Sequence, residues 1–567
     1  MVDKIDTKRV PKLVNGSQVS TPTLVWKQAP KVPQLDDAVG LPFSEAAEST
    51  LTDLYQLSMV YAYWKAGKHQ QQSCFDLYFR KCPFHGEFTI FAGIEESLRF
   101  INTFHFTDEQ ISYIKTQFKD AEEDFFNYLG GLDTREVRVW GVQEGTVVFP
   151  RYPLLRIEGP LAVVQLLETS LLNLVNFPSL VATNAARHRL AAGAEKKLLE
   201  FGLRRAQGPD GAMTASRYSY LGGFDGTSNV RAGHLFGIPI HGTHAHAFVT
   251  SFSSLKELKT RALGKNPDFL SDVLDARSKL PFGEEATMNE GELAAFVSYA
   301  QSFPETCLCL VDTYDTLKSG VPNFIAVAVA LFNSGYQPKG IRLDSGDLAY
   351  LSKEARKQFY AAEAKFGVPV SKCMIVASND LNEAVIHALN DQGHEVDCFG
   401  IGTNLVTCQA QPALGMVFKL AELDGRPCMK LSQEMEKSSV PCRKMVYRLL
   451  NANNEFLLDL IQKADDEPPK SGQRIFCRHL FDERKRCYVV ASKVEPLLDL
   501  LWDKGHAVGK RPSLWQSRER VLAQLKACRD DHLRPINPTP YKVSASPSFY
   551  DFFKEMWQKT APIFEIQ

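Results

Sequence analysis

The stretch Gly340-Ile341-Arg342-Leu343-Asp344-Ser345-Gly346-Asp347 decides the fold. A short apolar run carries one arginine and ends in two carboxylates around Ser-Gly. The same grammar recurs on both sides. Upstream, Leu198–Leu203 ends in Arg204-Arg205, Gly237–Ile240 ends in the Gly242–His246 segment, and Cys307–Val311 ends in Asp312-Thr313. Downstream, Cys373–Ala377 ends in Ser378-Asn379-Asp380, and Val396–Phe399 ends in Gly400-Ile401-Gly402-Thr403. Helical patterns at 321–335, 348–367 and 381–391 lie between. Continuous apolar strands alternating with helices predict a parallel sheet covered on both faces. About six such units predict an α/β fold with a (β/α) barrel core. An open doubly wound sheet is the structural alternative. Either places ligands at the C-terminal strand ends.

Working outward, the pattern divides the chain in four. Residues 1–47, rich in Pro, Ser, Thr and Lys, read as a disordered extension. Residues 48–180 read as a mixed α+β N-terminal domain, 181–440 as the barrel, and 441–567 as a small C-terminal domain. The first helix is expected from a polar cap at Ser49–Asp53 to about Gly67, with Leu54, Leu57, Val60, Tyr61 and Trp64 as its buried stripe. Tyr55 and Met59 flank that stripe. Cys74–Arg80 alternates like a half-buried strand. Helices are expected over 100–135 and strands over 136–158. Long helical patterning over 161–200 is expected to break near Pro178. Met445–Leu450 and Phe456–Leu458 read as a hairpin, and 512–528 as a helix.

The 567 residues call for two to three domains. With 65 basic and 66 acidic residues, no overall field holds nucleic acid or an anionic membrane, so an anionic substrate needs a local site. None of the 12 cysteines forms CxxC, which favours reduced, buried thiols. There is no apolar signal-peptide core, Asp3 and Asp6 disfavour a transit peptide, and no apolar stretch reaches membrane-spanning length. The reading expects a soluble cytosolic protein.

Several residues can carry chemistry. His244 and His246 face one side if their strand continues through them, which suits a metal pair; a hydrogen-bonded structural histidine or a nucleophile fits as well. Arg342 and Asp344 share a face by alternation; the motif reads either as an internal ion pair of Arg342 with Asp344 or Asp347, or as an anion site at Arg342 with Asp344 binding hydroxyls or a hydrated metal. Gly400-Ile401-Gly402-Thr403-Asn404 fits a phosphate cradle or a tight turn. Arg204-Arg205 fits a surface salt bridge or an anion contact.

Taken in order, these segments resemble the nicotinate phosphoribosyltransferases, of the type II phosphoribosyltransferase family. The likeness runs through Thr52–Met59, Phe201–Gly211, Gly242–His246, Arg342–Leu348 and Gly400–Leu405, and covers about 50 to 560. It implies an irregular α/β barrel core with a mixed N-terminal domain, and a homodimer with active sites shared across the interface. It implies transfer of phosphoribosyl from phosphoribosyl pyrophosphate (PRPP) to nicotinate, with ATP as co-substrate and Mg²⁺ or Mn²⁺ as the metal. The family's Gly-Thr-x-x-His pattern selects His246, not His244, as the histidine phosphorylated by ATP. Tyr55, Thr243 and Arg342 match its nicotinate-binding positions. Thr403 and Gly402 fall in its PRPP loop, and Asp344 and Asp312 are expected near ribose or metal. The rivals are a nicotinamide enzyme of the same fold, which also carries an arginine beside Asp-Ser-Gly-Asp, and a non-catalytic binding relative.

Overall fold

The structure, a computed structural model, describes residues 42–282, 287–434 and 437–561. The expected N-terminal extension lies outside the described residues up to 41.

Six parallel strands form the core sheet: β1 (Lys197–Glu200), β2 (Gly226–Thr227), β3 (Leu308–Leu310), β4 (Gly340–Leu343), β5 (Met374–Ser378) and β6 (Cys398–Ile401). Their order is β2-β1-β6-β5-β4-β3, and a single parallel bridge from Thr227 to Ile240 adds a position beside β2. The two ends of this sheet are tied together by a bond from the Leu310 amide to the His244 ring, 3.3 Å. The sheet is therefore curled into an irregular barrel rather than left open.

Burial on both faces explains the continuous apolar runs. Leu198, Ile341, Ile375 and Phe399 join a large core with the flanking helices, whereas Leu199, Leu308, Val376 and Cys398 form a small cluster of their own. Register carries that inner face upward. Arg342 pairs with Val376 and with Leu310, and Ser378 pairs with Gly400. Alternation then puts Arg342, Asp344, Ser378, Phe201 and Asp312 on the inner face at the C-terminal ends.

The linear division of the chain does not follow the sheets. Strand Met416–Leu423 leaves the barrel and pairs antiparallel with Gln72–Phe79. Asp499–Asp503 pairs with Arg138–Gly141 in the same seven-stranded sheet. Sequence reading sees contiguity, and these antiparallel partners are more than 300 residues apart. The second six-stranded sheet is the C-terminal unit, with the expected hairpin Lys444–Leu450 and Phe456–Lys463.

Three local expectations change. The strand Gln72–Phe79 is buried on both faces from Ser73 onward, not half-buried. Its Asp76 is compensated by Lys444 at 2.6 Å. In the first helix, Leu54–Lys65, Leu54 is 63% exposed, and the buried positions are Gln56, Leu57 and Val60. Gln56 is buried because its amide donates to the Gln165 carbonyl at 2.8 Å while its oxygen accepts from the Asp53 amide at 3.1 Å. Helix Glu168–Ala192 runs unbroken through Pro178. Proline frees the carbonyl four residues back, that of Leu174. Gly93 lies directly against that oxygen, where a Cβ would come within 2.0 Å of it. The lost bond is thus met by close backbone packing, and the helix continues.

Where the N-terminal and C-terminal sheets meet, Arg448 and Asp459 form a fully buried pair at 2.8 Å. Asp459 also accepts from Tyr152 at 3.0 Å and Tyr541 at 3.1 Å. Removing one member leaves an uncompensated buried charge, worth about 3–5 kcal/mol. Asp459→Ala is expected to lower the thermal midpoint sharply and to abolish soluble expression at elevated temperature. Unchanged melting would contradict the network's role. Among the described residues, no helix is long and apolar enough to cross a membrane.

Candidate active site

The C-terminal strand ends surround a polar cavity of about 280 Å³ lined by Arg204, Arg205, Arg342, Asp344, Ser378 and Thr403, among others. Arg342 donates from Nε to Ser378 Oγ at 2.6 Å and from Nη2 to Asp344 Oδ1 at 3.0 Å. Its guanidinium lies over the Phe201 ring, 5.4 Å from the centroid. The ion pair is present, and Arg342, braced by Asp344, is still one-fifth exposed at the cavity wall.

Glycine enters for packing. A Cβ on Gly400 would stand 2.5 Å from the Phe201 ring, and one on Gly202 would stand 2.3 Å from Val406. Gly400 thus seats the ring that supports Arg342. Arg205 reaches across to Thr403, donating from Nη1 to Oγ1 at 3.1 Å. Gly402 and Thr403 line the same cavity. Asn379 and Asp380, at the end of β5, hold positive φ (152° and 44°), unfavourable conformations of the kind that cluster at ligand sites.

His246 begins the short helix His246–Thr250. Its Nδ1 lies 3.0 Å from Thr313 Oγ1, and its Nε2 lies 3.9 Å from both Asp312 Oδ1 and Asp344 Oδ2. Asp312 Oδ2 accepts from the Asp344 amide at 3.0 Å and from Ser345 Oγ, while its buried Oδ1 has no protein partner. Thr313 is a contact the sequence reading missed. Its only signal was its place one residue past Asp312 at a strand end. The second carboxylate of the motif, Asp347, is a helix cap, accepting from the Tyr350 amide at 2.9 Å.

The two histidines do not share a face, because the strand stops near His241 and a helix starts at His246. His244 turns into the protein, where burial pushes its pKa down to about 4. Thr243 is half-buried on this segment, its hydroxyl directed at the His244 carbonyl at 3.3 Å. Tyr55 is not brought to the strand ends. It sits half-exposed on the first helix, donates to Glu168 at 3.0 Å, and lines a separate cavity of about 550 Å³ with Met59, Lys419 and Lys430. Burial and Glu168 push its hydroxyl pKa up to about 12.

Magnesium suits hard oxygen donors, taking one or two carboxylates and completing its shell with water and substrate phosphates. Asp312 Oδ1, which accepts no hydrogen bond, and Asp344 Oδ2 both lie 3.9 Å from His246 Nε2. Among the described residues no cluster of three or more ligating side chains exists.

Comparison with known proteins shows the family of the chain. Family models for the nicotinate phosphoribosyltransferase N-terminal domain, family and C-terminal domain match residues 50–176, 196–467 and 443–553. Nicotinate phosphoribosyltransferase 2 of Arabidopsis thaliana is 55% identical over 532 residues, covering 91% of this chain and 95% of that protein. The nicotinate phosphoribosyltransferase of Homo sapiens is 44% identical, covering 88% and 95%. The crystal structure of human nicotinic acid phosphoribosyltransferase superposes with a TM-score of 0.79 at 42% identity, covering 89% of this chain and 99% of that one. A Pyrococcus furiosus nicotinate-nucleotide pyrophosphorylase shares the fold, with a TM-score of 0.56 at 21% identity and coverage of 86% and 98%. The chain belongs to the nicotinate phosphoribosyltransferase family.

Proposed function

We propose that the protein transfers the phosphoribosyl group of PRPP to the ring nitrogen of nicotinate, releasing pyrophosphate, and couples this to ATP through phosphate carried on His246. The observation that carries the reading is His246, set between Thr313 on one ring nitrogen and two carboxylates on the other, one of which, Asp344, also lines the cavity that holds three arginines.

Ribosyl transfer develops positive charge at the sugar and negative charge on the leaving pyrophosphate. Arg204 and Arg205 are placed to hold phosphate oxygens, and Arg342 presents a planar fork to the nicotinate carboxylate. Asp312 and Asp344 would hold a magnesium ion, which supplies positive charge to the phosphates. With Nδ1–H donated to Thr313, the lone pair on Nε2 attacks the terminal phosphorus of ATP. An N–P bond forms and the bond to ADP breaks. Phosphate on His246 then shifts affinity for PRPP or pyrophosphate by linkage.

Tyr55 offers a ring face for the pyridine only if it comes from a second copy, since in one chain it lines another cavity beside exposed Leu54. The expected assembly is a homodimer with shared sites. Mixing Tyr55→Ala with His246→Ala, each lacking ATP-stimulated turnover alone, is expected to restore about a quarter of the wild-type ATP-stimulated turnover, by random pairing of subunits. No restoration would place both residues in one chain's site. The substrate reading is tested with PRPP and labelled nicotinate or nicotinamide, with and without ATP. Nicotinate-selective, ATP-stimulated turnover supports it. Selective use of nicotinamide overturns it.

A further inference from the structure

Between Ile240 and His246 the chain crosses from one end of the core sheet to the other. Its last backbone link on the near side is the His241 amide to the Thr227 carbonyl, 2.9 Å. From His241 to Phe248 only His244 is buried; Gly242 and Ala245 are exposed. A segment so exposed has no apolar anchor of its own, yet it carries Thr243 and His246.

The anchor is the His244 ring, whose Nε2 accepts from the Leu310 amide at 3.3 Å. Strand alternation explains why that amide is available. The Val311 amide bonds to the Arg342 carbonyl, toward β4, at 3.1 Å. The preceding amide, on Leu310, therefore points the other way, to the sheet edge. Leu310 is 1% exposed, so without an acceptor its N–H is buried and unpaired. His244 stands where the carbonyl of a next strand would stand. Phe248, Phe296 and Tyr299 enclose the ring at centroid distances of 5.3, 6.2 and 4.8 Å. Two side-chain links then set the register of the crossing against β3: His244 to Leu310, and His246 to Thr313 at 3.0 Å.

We propose that His244 is a positioning residue for the reaction: as a neutral imidazole acceptor it replaces the missing strand at the barrel seam and so fixes His246 in line with Asp312, Thr313 and Asp344. The proposal rests on the reading of His246 as the phosphate carrier. Burial holds the ring in its neutral form across physiological pH, since its pKa is pushed down to about 4. A metal-binding pair with His246 is not needed to explain its place, because the nitrogen facing β3 is already used.

The test compares full-length wild type, His244→Gln, His244→Phe and His246→Ala by the rate of phosphate incorporation from labelled ATP and by ATP stimulation of turnover. Glutamine restores an acceptor near the Nε2 position; phenylalanine keeps the ring and removes the acceptor. His244→Phe is expected to lose at least about tenfold in incorporation rate, as a small misplacement of a reacting group does. His244→Gln is expected to stay within about threefold of wild type. Phe at wild-type rate, or Gln as impaired as Phe, overturns the proposal. Incorporation persisting in His246→Ala defeats the reading of His246 instead. Hydrogen exchange of the Leu310 amide in the wild-type protein decides the seam bond even if His244→Phe does not fold. Strong protection is expected, and exchange at the rate of an open amide overturns it.

Discussion

His246→Ala is expected to abolish ATP stimulation while leaving the fold and nicotinate binding intact. The imidazole is nearly half exposed and makes one side-chain hydrogen bond, to Thr313, so its removal costs little packing. What is lost is the phosphorylatable nitrogen. If phosphate on His246 alters affinity for PRPP or pyrophosphate by the usual coupling energies, turnover with ATP should fall by roughly 5–150-fold. The rate without ATP should be unchanged. Steady-state kinetics with and without ATP checks this. A mutant still stimulated by ATP would show that the nucleotide acts elsewhere. Asn at this position serves as a control for shape, since it keeps polarity but offers no nucleophilic nitrogen.

Arg342→Gln carries the second large effect, and it falls on specificity. Each charge-assisted hydrogen bond to the nicotinate carboxylate is worth about 1.5–3 kcal/mol. Losing the fork should lower kcat/KM for nicotinate by roughly 10²-fold. Nicotinamide carries no charge for the cation to recognise, so its poor turnover should change by no more than about threefold. The substitution also removes the cation that Asp344 pairs with at 3.0 Å. Arg342→Lys keeps the charge and separates the two effects: pairing with Asp344 survives, bidentate geometry does not. Equal losses for both bases in Arg342→Gln would move Arg342 to the phosphates of PRPP and away from the nicotinate carboxylate.

Much of this site was legible before any coordinates. Apolar runs ending in polar residues marked the strand ends, and alternation alone placed Arg342 and Asp344 on one face. What sequence could not show has identifiable causes. Asp347 looked equivalent to Asp344, but it precedes a helix and is consumed by the Tyr350 amide; the helical pattern from Leu348 carried that signal. Gly400 read as a turn or a phosphate cradle, whereas its demand comes from the Phe201 ring, just past the end of a strand some 200 residues earlier in the chain. The separation of His244 from His246 depends on where a strand stops, which no periodicity in Gly242–His246 encodes. Pro178 was expected to break its helix because the compensating partner, Gly93, is distant in sequence. Leu54 was expected in the core, but as the first residue of its helix it points to solvent in a single chain. For Gly400 and Pro178 a local rule was correct and a nonlocal contact decided.

The central claim, that His246 carries phosphate, is tested most directly by incubating the wild-type protein with ATP labelled at the terminal phosphate and mapping the modified residue. Acid-labile, base-stable phosphate is expected on the peptide holding His246, absent from His246→Ala and discharged by PRPP with nicotinate. Stable turnover with no phosphate on that peptide, or phosphate on another residue, would contradict it.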